Sequence, residues 1–348
     1  MRCPATRLAL VAFIAFASLA SCKGGGDPGA ATPSPAVDAT AKPLSVGLVF
    51  DIGGRGDHSF NDSAARGIEK AKAELGITAE ELEPGDGADR ESALRQLAAK
   101  EHGLVFGIGF LFTDDVDAIA KDFPAKTFAC VDYTLGAGKT PPANVAALTF
   151  KEEEGSFLVG ALAALVSKTD KVGFVGGMEI PLIKKFEAGF RAGVKAVKPE
   201  ATVIVKYAGV TGEAFKKPAK GKELAIAIYA QGADVIFHAS GATGQGVFGA
   251  AQEQKKLAIG VDSDQYHLAP GHVLTSMVKR VDVAVFETIK AKKAGTFQPG
   301  VRTFDLASGG VDYVYDDRNK ALIPDDVRAK VEALRAKIVK GEIQVPSE

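Results

Sequence analysis

Short apolar, β-branched segments alternate with longer segments of helical periodicity from residue 44 onward. Asn61 to Leu75 and Gly155 to Val166 have hydrophobic residues at helical spacing. This alternation is typical of helices that cover a parallel sheet, so it predicts an α/β fold. The segments that predict strands are Leu44 to Phe50, Leu104 to Ile108, Thr127 to Val131, Val145 to Thr149, Lys171 to Val175, Thr202 to Tyr207, Val235 to Ala239 and Ala258 to Val261.

These strands divide into two series of four, because the second series begins afresh at Lys171. A single eight-stranded sheet is the alternative, but we favour two doubly wound parallel-sheet domains with a ligand cleft between them. Val273 to Val278 is expected to cross back to the first domain. The predicted lobes are 44–150 plus 276–310 at the N-terminal side and 151–275 at the C-terminal side. Residues 311–348 are expected to close the fold with a strand, Val311 to Tyr315, and a helix, Asp325 to Val339.

The N-terminal residues resemble a bacterial lipoprotein export signal. Arg2 and Arg7 precede a short apolar run, which ends in Leu19-Ala20-Ser21-Cys22. Residues 1–21 are therefore predicted to be a signal peptide and Cys22 to carry the lipid. Residues 22–43 are rich in Gly, Pro, Ala and Ser and are predicted to be a flexible tether. This places the protein outside the cytoplasm, anchored to a bacterial membrane through its lipid.

Composition makes several function classes unfavourable. The 348 residues have a net charge of −1, which disfavours nucleic acid as a partner. Only Cys130 remains after removal of Cys3 and modification of Cys22, so the mature chain cannot form an internal disulfide. The five histidines are scattered, with no metal-ligand spacing and no nucleophile–base set. We therefore expect neither an enzyme nor a metal or other cofactor.

Carboxylates follow three predicted strands. Asp51, Asp132 and Asp262 would meet in the cleft, because ligands of open α/β sheets bind beyond the carboxyl ends of the strands. Ionised carboxylates only accept hydrogen bonds, so they suit a neutral ligand rich in hydroxyl donors, such as a sugar or a nucleoside, better than a phosphorylated nucleotide. Each aspartate also has an ordinary alternative role as a helix cap or turn former.

Aromatic residues supply the other half of a nucleoside site. Phe60 lies in Ser59-Phe60-Asn61, just before the first helix, and Phe186 lies early in the helix after Pro181. Two such rings could sandwich a purine, since stacking contributes about 1 to 3 kcal/mol per base in nucleic-acid sites. Either ring could instead belong to the core, as we expect for Phe190 and Phe237.

Several segments together resemble the basic membrane protein family of lipoprotein substrate-binding components of ABC importers. The segments are Asp51-Ile52-Gly53-Gly54, Ser59-Phe60-Asn61, Gly107-Ile108-Gly109-Phe110, Gly176-Gly177-Met178 with Pro181, Phe186-Glu187-Ala188-Gly189-Phe190, Gly260-Val261-Asp262-Ser263-Asp264-Gln265 and Thr275-Ser276-Met277-Val278-Lys279. The resemblance implies a fold similar to type I periplasmic sugar-binding proteins. It also implies a purine nucleoside ligand (adenosine, guanosine or inosine), with an ABC permease and ATPase as partners.

The resemblance also implies roles for individual residues. Phe60 would stack on the base, Asn61 and Asp132 would bind its polar edges, and Asp262 would bind ribose hydroxyls. Lys279 would lie near the sugar and its 5'-hydroxyl, and Asp51 would support the loop or the ligand. Gly241 is a ligand-binding candidate for a different reason, because it follows the predicted strand Val235 to Ala239 and should border the cleft. Phe186, Phe215 and Phe237 stay open as the second stacking ring. The chain departs from the family pattern at Gly54-Arg55-Gly56-Asp57-His58, where many relatives have an acidic pair.

Three other functions compete with a nucleoside importer. The glycines at Gly241, Gly244 and Gly246 raise the possibility of an NAD-type enzyme, but they lack the GxGxxG order and come late in the chain. A receptor for a pentose or another sugar would use the same acceptor carboxylates. A ligand sensor or surface adhesin would share the tether and the cleft.

Overall fold

The computed structural model describes residues 42–84, 89–136 and 138–348. The predicted signal peptide, Cys22 and the tether up to residue 41 lie outside the described residues. Residues 43–348 form one compact unit.

Twelve strands of the described residues form two six-stranded sheets. The first sheet has the order β11-β5-β4-β3-β1-β2 and the second β12-β10-β9-β8-β6-β7. All neighbours pair in parallel except β12, which is antiparallel to β10. The strands are β1 (Ser45–Val49), β2 (Thr78–Leu82), β3 (Leu104–Ile108), β4 (Phe128–Val131), β5 (Val145–Phe150), β6 (Lys171–Met178), β7 (Thr202–Gly209), β8 (Val235–Ala239), β9 (Leu257–Asp262), β10 (Val273–Lys279), β11 (Gly300–Phe304) and β12 (Val311–Tyr313).

Helices cover both sheets, as expected for an α/β protein. They are α1 (Phe60–Leu75), α2 (Arg90–Ala98), α3 (Thr113–Asp122), α4 (Glu152–Val166), α5 (Pro181–Val197), α6 (Pro218–Ala230), α7 (Gly244–Gln254), α8 (Val281–Lys293) and α9 (Asp325–Val339). Helix α4 is buried on nearly all sides, because it packs on the second sheet and against α5 and α9. Across the three described ranges, we find no helix with both the length and the hydropathy that crossing a bilayer requires.

All eight strands of the sequence prediction are present, and the prediction of an α/β fold with two parallel sheets is confirmed. The prediction of four strands per unit was wrong. It missed β2 and β11, which lie at or next to a sheet edge and have largely exposed or half-buried residues. Edge strands lack the continuous apolar run of a strand that is buried on both faces.

The chain passes between the two sheets three times: from β5 to α4, from β10 to α8 and from β11 to β12. We call the first sheet with its helices the first lobe and the second sheet with its helices the second lobe. The expectation that Val273 to Val278 returns to the first lobe was wrong, because β10 pairs with β9 and β12 in the second sheet. The return occurs after Lys279, where α8 packs on α1 of the first lobe. The strand and helix of residues 311–348 belong to the second lobe, where β12 pairs with β10 and α9 packs on α4.

Candidate functional site

A chamber lies between the carboxyl ends of the two sheets. Eight residues were predicted from the sequence to bind the ligand, and all eight line the wall of this chamber: Asp51, Phe60, Asn61, Asp132, Phe186, Gly241, Asp262 and Lys279. The wall also includes residues that the sequence analysis did not select: Ile52, Asp57, Phe110, Leu182 and Ile183.

The loop between β1 and α1 is held by side chains at the start of α1. Asp57 accepts hydrogen bonds from the backbone N–H groups of Ser59 (2.8 Å), Asn61 (2.8 Å) and Asp62 (3.1 Å), and from Asn61 Nδ2 (3.2 Å). Free N–H groups at a helix start need such acceptors, so Asp57 caps α1 and fixes Phe60 beside the chamber. An aspartate just before a predicted helix was the sequence signal for this role.

Asp51 lies at the same loop, two residues after β1. Its backbone N–H donates to Asn61 Oδ1 (2.9 Å), and its Oδ1 accepts from the backbone N–H of Ile52 (2.7 Å). Within the three described ranges, its Oδ2 has no hydrogen-bond partner. Burial raises the pKa of Asp51 to about 7, since the ionised form loses solvation there.

Lys279 ends β10, next to the place where the chain crosses from the second lobe to α8 of the first lobe. Its ammonium lies 2.6 Å from Asp132 Oδ1, 2.7 Å from Asp132 Oδ2 and 3.0 Å from Glu152 Oε1. Glu152 is also paired with Lys185, at 3.2 Å. Burial alone would lower the pKa of Lys279, but the carboxylates of Asp132, Glu152 and Asp262 outweigh burial and hold that pKa above its usual value.

Three phenyl rings surround the same ammonium. The Lys279 Nζ lies 4.9 Å from the ring centre of Phe150, 5.3 Å from that of Phe60 and 5.6 Å from that of Phe186. These distances are typical of cation–π contacts. Phe60 and Phe186 thus form part of the chamber wall beside the ion pair.

Two aspartates at strand ends have left-handed backbone conformations. Asp132 directly follows β4 with φ +60°, and Asp262 ends β9 with φ +64°. Such values are uncommon outside glycine and are concentrated at functional sites. Asp262 Oδ2 accepts a hydrogen bond from Ser59 Oγ of the first lobe (2.5 Å), and burial raises the pKa of Asp262 to about 7.

Contacts between the lobes close the chamber at this side. Ser263 Oγ donates to the backbone carbonyl of Ser59 (2.8 Å) and accepts from Arg66 Nη2 (2.8 Å). Gln265 Nε2 donates to the carbonyl of His58 (3.1 Å). All three bonds join the first lobe to the loop after β9.

The lobes also touch at a second side of the chamber, between the segment that follows β3 and the segment that follows β7. The rings of Phe110 in the first lobe and Phe215 in the second meet edge to face, with centres 6.3 Å apart. Gly212 approaches Ile52 so closely that a Cβ there would lie 2.4 Å from Ile52 Cδ1. Contacts at both sides indicate a closed arrangement of the two lobes.

The three candidates for a second stacking ring occupy different positions. Phe186 and Phe215 line the chamber, whereas Phe237 does not and is buried among Phe174, Phe186 and Phe190. Gly241 has φ +54° and lies beside Phe215, because a Cβ there would be 3.2 Å from the Phe215 carbonyl oxygen.

Packing accounts for the glycines that suggested a dinucleotide site. A Cβ at Gly244 would lie 1.9 Å from the His238 ring, and a Cβ at Gly246 would lie 1.8 Å from the carbonyl oxygen of Pro218 in α6. These glycines therefore let α7 approach β8 and α6. Among the described residues, no group of three or more His, Cys, Asp or Glu is placed to hold a metal ion.

Comparisons with known proteins agree with this architecture. Residues 44–348 match the family of PnrA-like ABC transporter substrate-binding proteins. The chain is 40% identical over 335 residues to the CD4+ T-cell-stimulating antigen of Listeria innocua, an alignment that covers 89% of this chain and 90% of the relative. It is 34% identical over 328 residues to the ABC transporter nucleoside-binding protein BmpA of Lactococcus lactis, with 87% and 89% covered.

A solved structure is similar as well. An ABC transporter solute-binding protein from Aeropyrum pernix superposes with a TM-score of 0.81 at 29% identity, over 88% of this chain and 94% of that protein. Because the family match covers the whole region from residue 44 to the C-terminus, this chain belongs to the basic membrane protein family of PnrA-like ABC transporter substrate-binding proteins.

Proposed function

We propose that this protein is a lipid-anchored, extracytoplasmic receptor that binds a purine nucleoside and delivers it to an ABC permease and its ATPase. The observation that carries the proposal is the chamber itself, in which aromatic rings and open carboxylate oxygens line one space between two lobes. A relative of this chain is named a nucleoside-binding protein, which supports the same ligand class.

The strand order suggests how a nucleoside lies in the chamber. In the first sheet, β1 carries Asp51 and β4 carries Asp132, with β3 between them. Two strand spacings separate these residues by about 10 Å, which matches the length of a nucleoside. Phe110 and Phe215 lie near Asp51, whereas Lys279 lies at Asp132. We therefore place the base at the Asp51 end and the ribose at the Lys279 end.

At the base end, we infer that Phe60 and Phe215 stack on the two faces of the purine. Both rings line the chamber and both are half-buried, so each keeps surface that a base can cover. Phe186 is only 3% exposed, so it keeps little surface that a base could cover. Asn61 also lies at this end, because its Oδ1 holds the backbone of Asp51.

At the ribose end, Asp262 is the strongest candidate for binding sugar hydroxyls. Its Oδ2 is bound by Ser59, while its Oδ1 has no hydrogen-bond partner among the described residues. A hydrogen bond to a charged acceptor contributes about 1.5 to 3 kcal/mol. The pairing of Asp132 with Lys279 favours a place for both at the ribose as well, with Asp132 orienting Lys279 rather than reading the base.

The charges of the chamber favour a neutral ligand. Lys279 is already bound by Asp132 and Glu152, and Asp51, Asp57 and Asp262 add further carboxyl groups to the wall or behind it. Lys279 is the one cation among the described residues of the chamber wall, so a phosphate group would meet these carboxylates without a free cation to balance it, and a nucleotide is a poorer ligand than a nucleoside.

Three chain crossings between the lobes provide a hinge. We propose that the ligand binds to an open form and that closure forms the interlobe contacts described above. The permease would then recognise the closed shape. Cys22, in the sequence context of a lipoprotein signal, would hold the receptor at the membrane through its lipid.

Calorimetric titration of the full chain in detergent tests the ligand. We expect heat of binding with purine nucleosides and none with free bases, nucleotides or NAD. The Phe60→Ala variant should lose more than about tenfold in affinity, because about 1 to 3 kcal/mol of stacking is removed. Phe123→Ala is the matched control, since Phe123 is a half-buried ring in the first lobe that does not line the chamber.

Two results would contradict parts of this proposal. Binding of pentoses alone would keep the receptor but change its ligand to a sugar. Unchanged nucleoside affinity in Phe60→Ala would remove Phe60 from the site.

A further inference from the structure

The carboxyl groups at the chamber differ in how far the protein already satisfies them. Asp57 accepts four hydrogen bonds from the start of α1, and Asp132 has both oxygens on Lys279. Asp51 differs at the base end, because Oδ1 is bound by the Ile52 N–H while Oδ2 has no partner among the described residues. Asp51 therefore has one oxygen left for a ligand.

The orientation of this carboxyl group is fixed. Gly109 has φ +115°, and a Cβ on it would lie 2.0 Å from Asp51 Oδ2. Only a glycine leaves room for the carboxyl group at this place. The Ile52 N–H holds the other oxygen, and Asn61 holds the Asp51 backbone. A carboxyl group held in this way cannot rotate to place its carbonyl oxygen toward a ligand donor and its hydroxyl group toward a ligand acceptor in turn.

We propose that Asp51 reads the Watson–Crick edge of the bound purine and that its protonation selects the base: ionised Asp51 favours guanosine and inosine, and protonated Asp51 favours adenosine. This inference rests on the proposed function. Guanine and hypoxanthine present an N1–H donor, which needs an acceptor. Adenine presents N1 as an acceptor, which needs the proton of a neutral carboxyl group.

Both forms of Asp51 are accessible near neutral pH. Burial raises its pKa to about 7, although the guanidinium of Arg90 lowers it, while Asp132 and Asp57 raise it further. The thiol of Cys130 lies behind it, and burial raises the pKa of that thiol, so Cys130 stays neutral. Across the chamber stand Asp262 and Lys279, of which Lys279 keeps its charge over this pH range.

The direction of the effect follows from these states. Guanosine affinity should fall as the pH drops below about 7, and adenosine affinity should fall as the pH rises above about 7. If each base binds one form only, each loss reaches about thirtyfold at about 1.5 pH units from the midpoint. The ratio of guanosine to adenosine affinity should therefore rise steeply between about pH 5.5 and about pH 8.5.

Calorimetric titration of the full chain with guanosine, inosine and adenosine across this pH range tests the proposal. The affinity ratio is the useful quantity, because Asp262 also has a pKa of about 7 but faces the ribose that all three ligands share. A change in the protonation of Asp262 should therefore alter the guanosine and adenosine affinities by the same factor and leave their ratio unchanged. Inosine should follow guanosine, since it has the N1–H and lacks the 2-amino group.

Two variants separate Asp51 from the other carboxyl groups. Asp51→Asn cannot titrate and keeps an N–H donor, so its ratio should favour adenosine and stay constant with pH. Asp262→Asn is the matched control, which should weaken all three nucleosides but leave the pH dependence of the ratio intact. Thermal unfolding without ligand checks that each variant is folded.

Failure of this inference and failure of the proposed function look different. A constant ratio in the wild-type protein, or inosine that follows adenosine, would overturn the reading by Asp51 while nucleoside binding stands. Absence of nucleoside binding at every pH would overturn the proposed function itself.

Discussion

Replacing Lys279 with methionine should destabilise the protein by an amount that grows with pH. Lys279 is 1% exposed and holds Asp132 through both carboxylate oxygens. Without the lysine, Glu152 keeps Lys185 as its partner, but Asp132 has no other ion-pair partner among the described residues. Breaking a buried ion pair from one side costs about 3 to 5 kcal/mol, because the remaining charge is buried and unpaired.

Protonation of Asp132 limits this cost at low pH. Giving a carboxyl group its proton costs about 1.4 kcal/mol for each pH unit above its ordinary pKa near 4. The loss in Lys279→Met should therefore be about 2 kcal/mol at about pH 5.5 and should reach the full 3 to 5 kcal/mol at about pH 8. In the wild type the pKa of Lys279 is raised above its unfolded value, so its contribution is fully present at both pH values and is lost only at much higher pH.

Denaturant unfolding of the full chain at both pH values measures this difference. Adding Asp132→Asn to Lys279→Met removes the orphaned charge, so the double variant should be more stable than the single one at about pH 8, by about 2 kcal/mol. Lys290→Met is the control. Lys290 is exposed and lies 3.6 Å from Glu287, so we expect a change below about 0.5 kcal/mol. An equal loss at both pH values, or no gain in the double variant, would refute the reasoning.

Two further predictions concern closure and stability. Gly212→Val should weaken nucleoside binding by roughly tenfold, because the valine side chain would press on Ile52 in the closed form. The unfolding temperature without ligand should change little. X-ray scattering with and without nucleoside would measure closure, and unchanged affinity would contradict the role of this contact. Burial lowers the pKa of His238 to about 4, below its unfolded value, so this residue should cause a loss of stability of up to about 3 kcal/mol as the pH falls from about 6.5 to about 4. Denaturation of wild type and His238→Gln over that range isolates the effect, and parallel curves would contradict it.

The sequence was sufficient to predict the central strands because their side chains are buried on both faces. β3 and β4 are fully buried and appear in the sequence as continuous apolar runs. β2, with the sequence Thr-Ala-Glu-Glu-Leu, has no such run because it lies at a sheet edge. The segment Val273 to Val278 was predicted to cross back to the first domain, because its place as a strand of the second sheet depends on partners that no local pattern specifies.

The candidate site was predictable for a related reason. In parallel sheets the carboxyl ends of the strands meet at one edge, so residues after separate strands could be assigned to a common cleft. What each residue contacts was not predictable. The partner of Asp132 lies 147 positions away in Lys279, and the left-handed conformation of Asp132 is set by the tertiary structure.

The difference between satisfied and open carboxyl groups connects the chamber to the hinge. In the closed form without ligand, Asp51 Oδ2 and Asp262 Oδ1 have no hydrogen-bond donor among the described residues, and both residues line the chamber. A ligand that fills the chamber displaces water from both oxygens, and an acceptor that loses water without gaining a donor is unfavourable. A ligand with donors at both ends avoids this cost in the closed form and leaves the open form unchanged. We infer that such a ligand shifts the population toward closure because it supplies the missing donors, whereas a shorter ligand that satisfies only one end would bind with less closure.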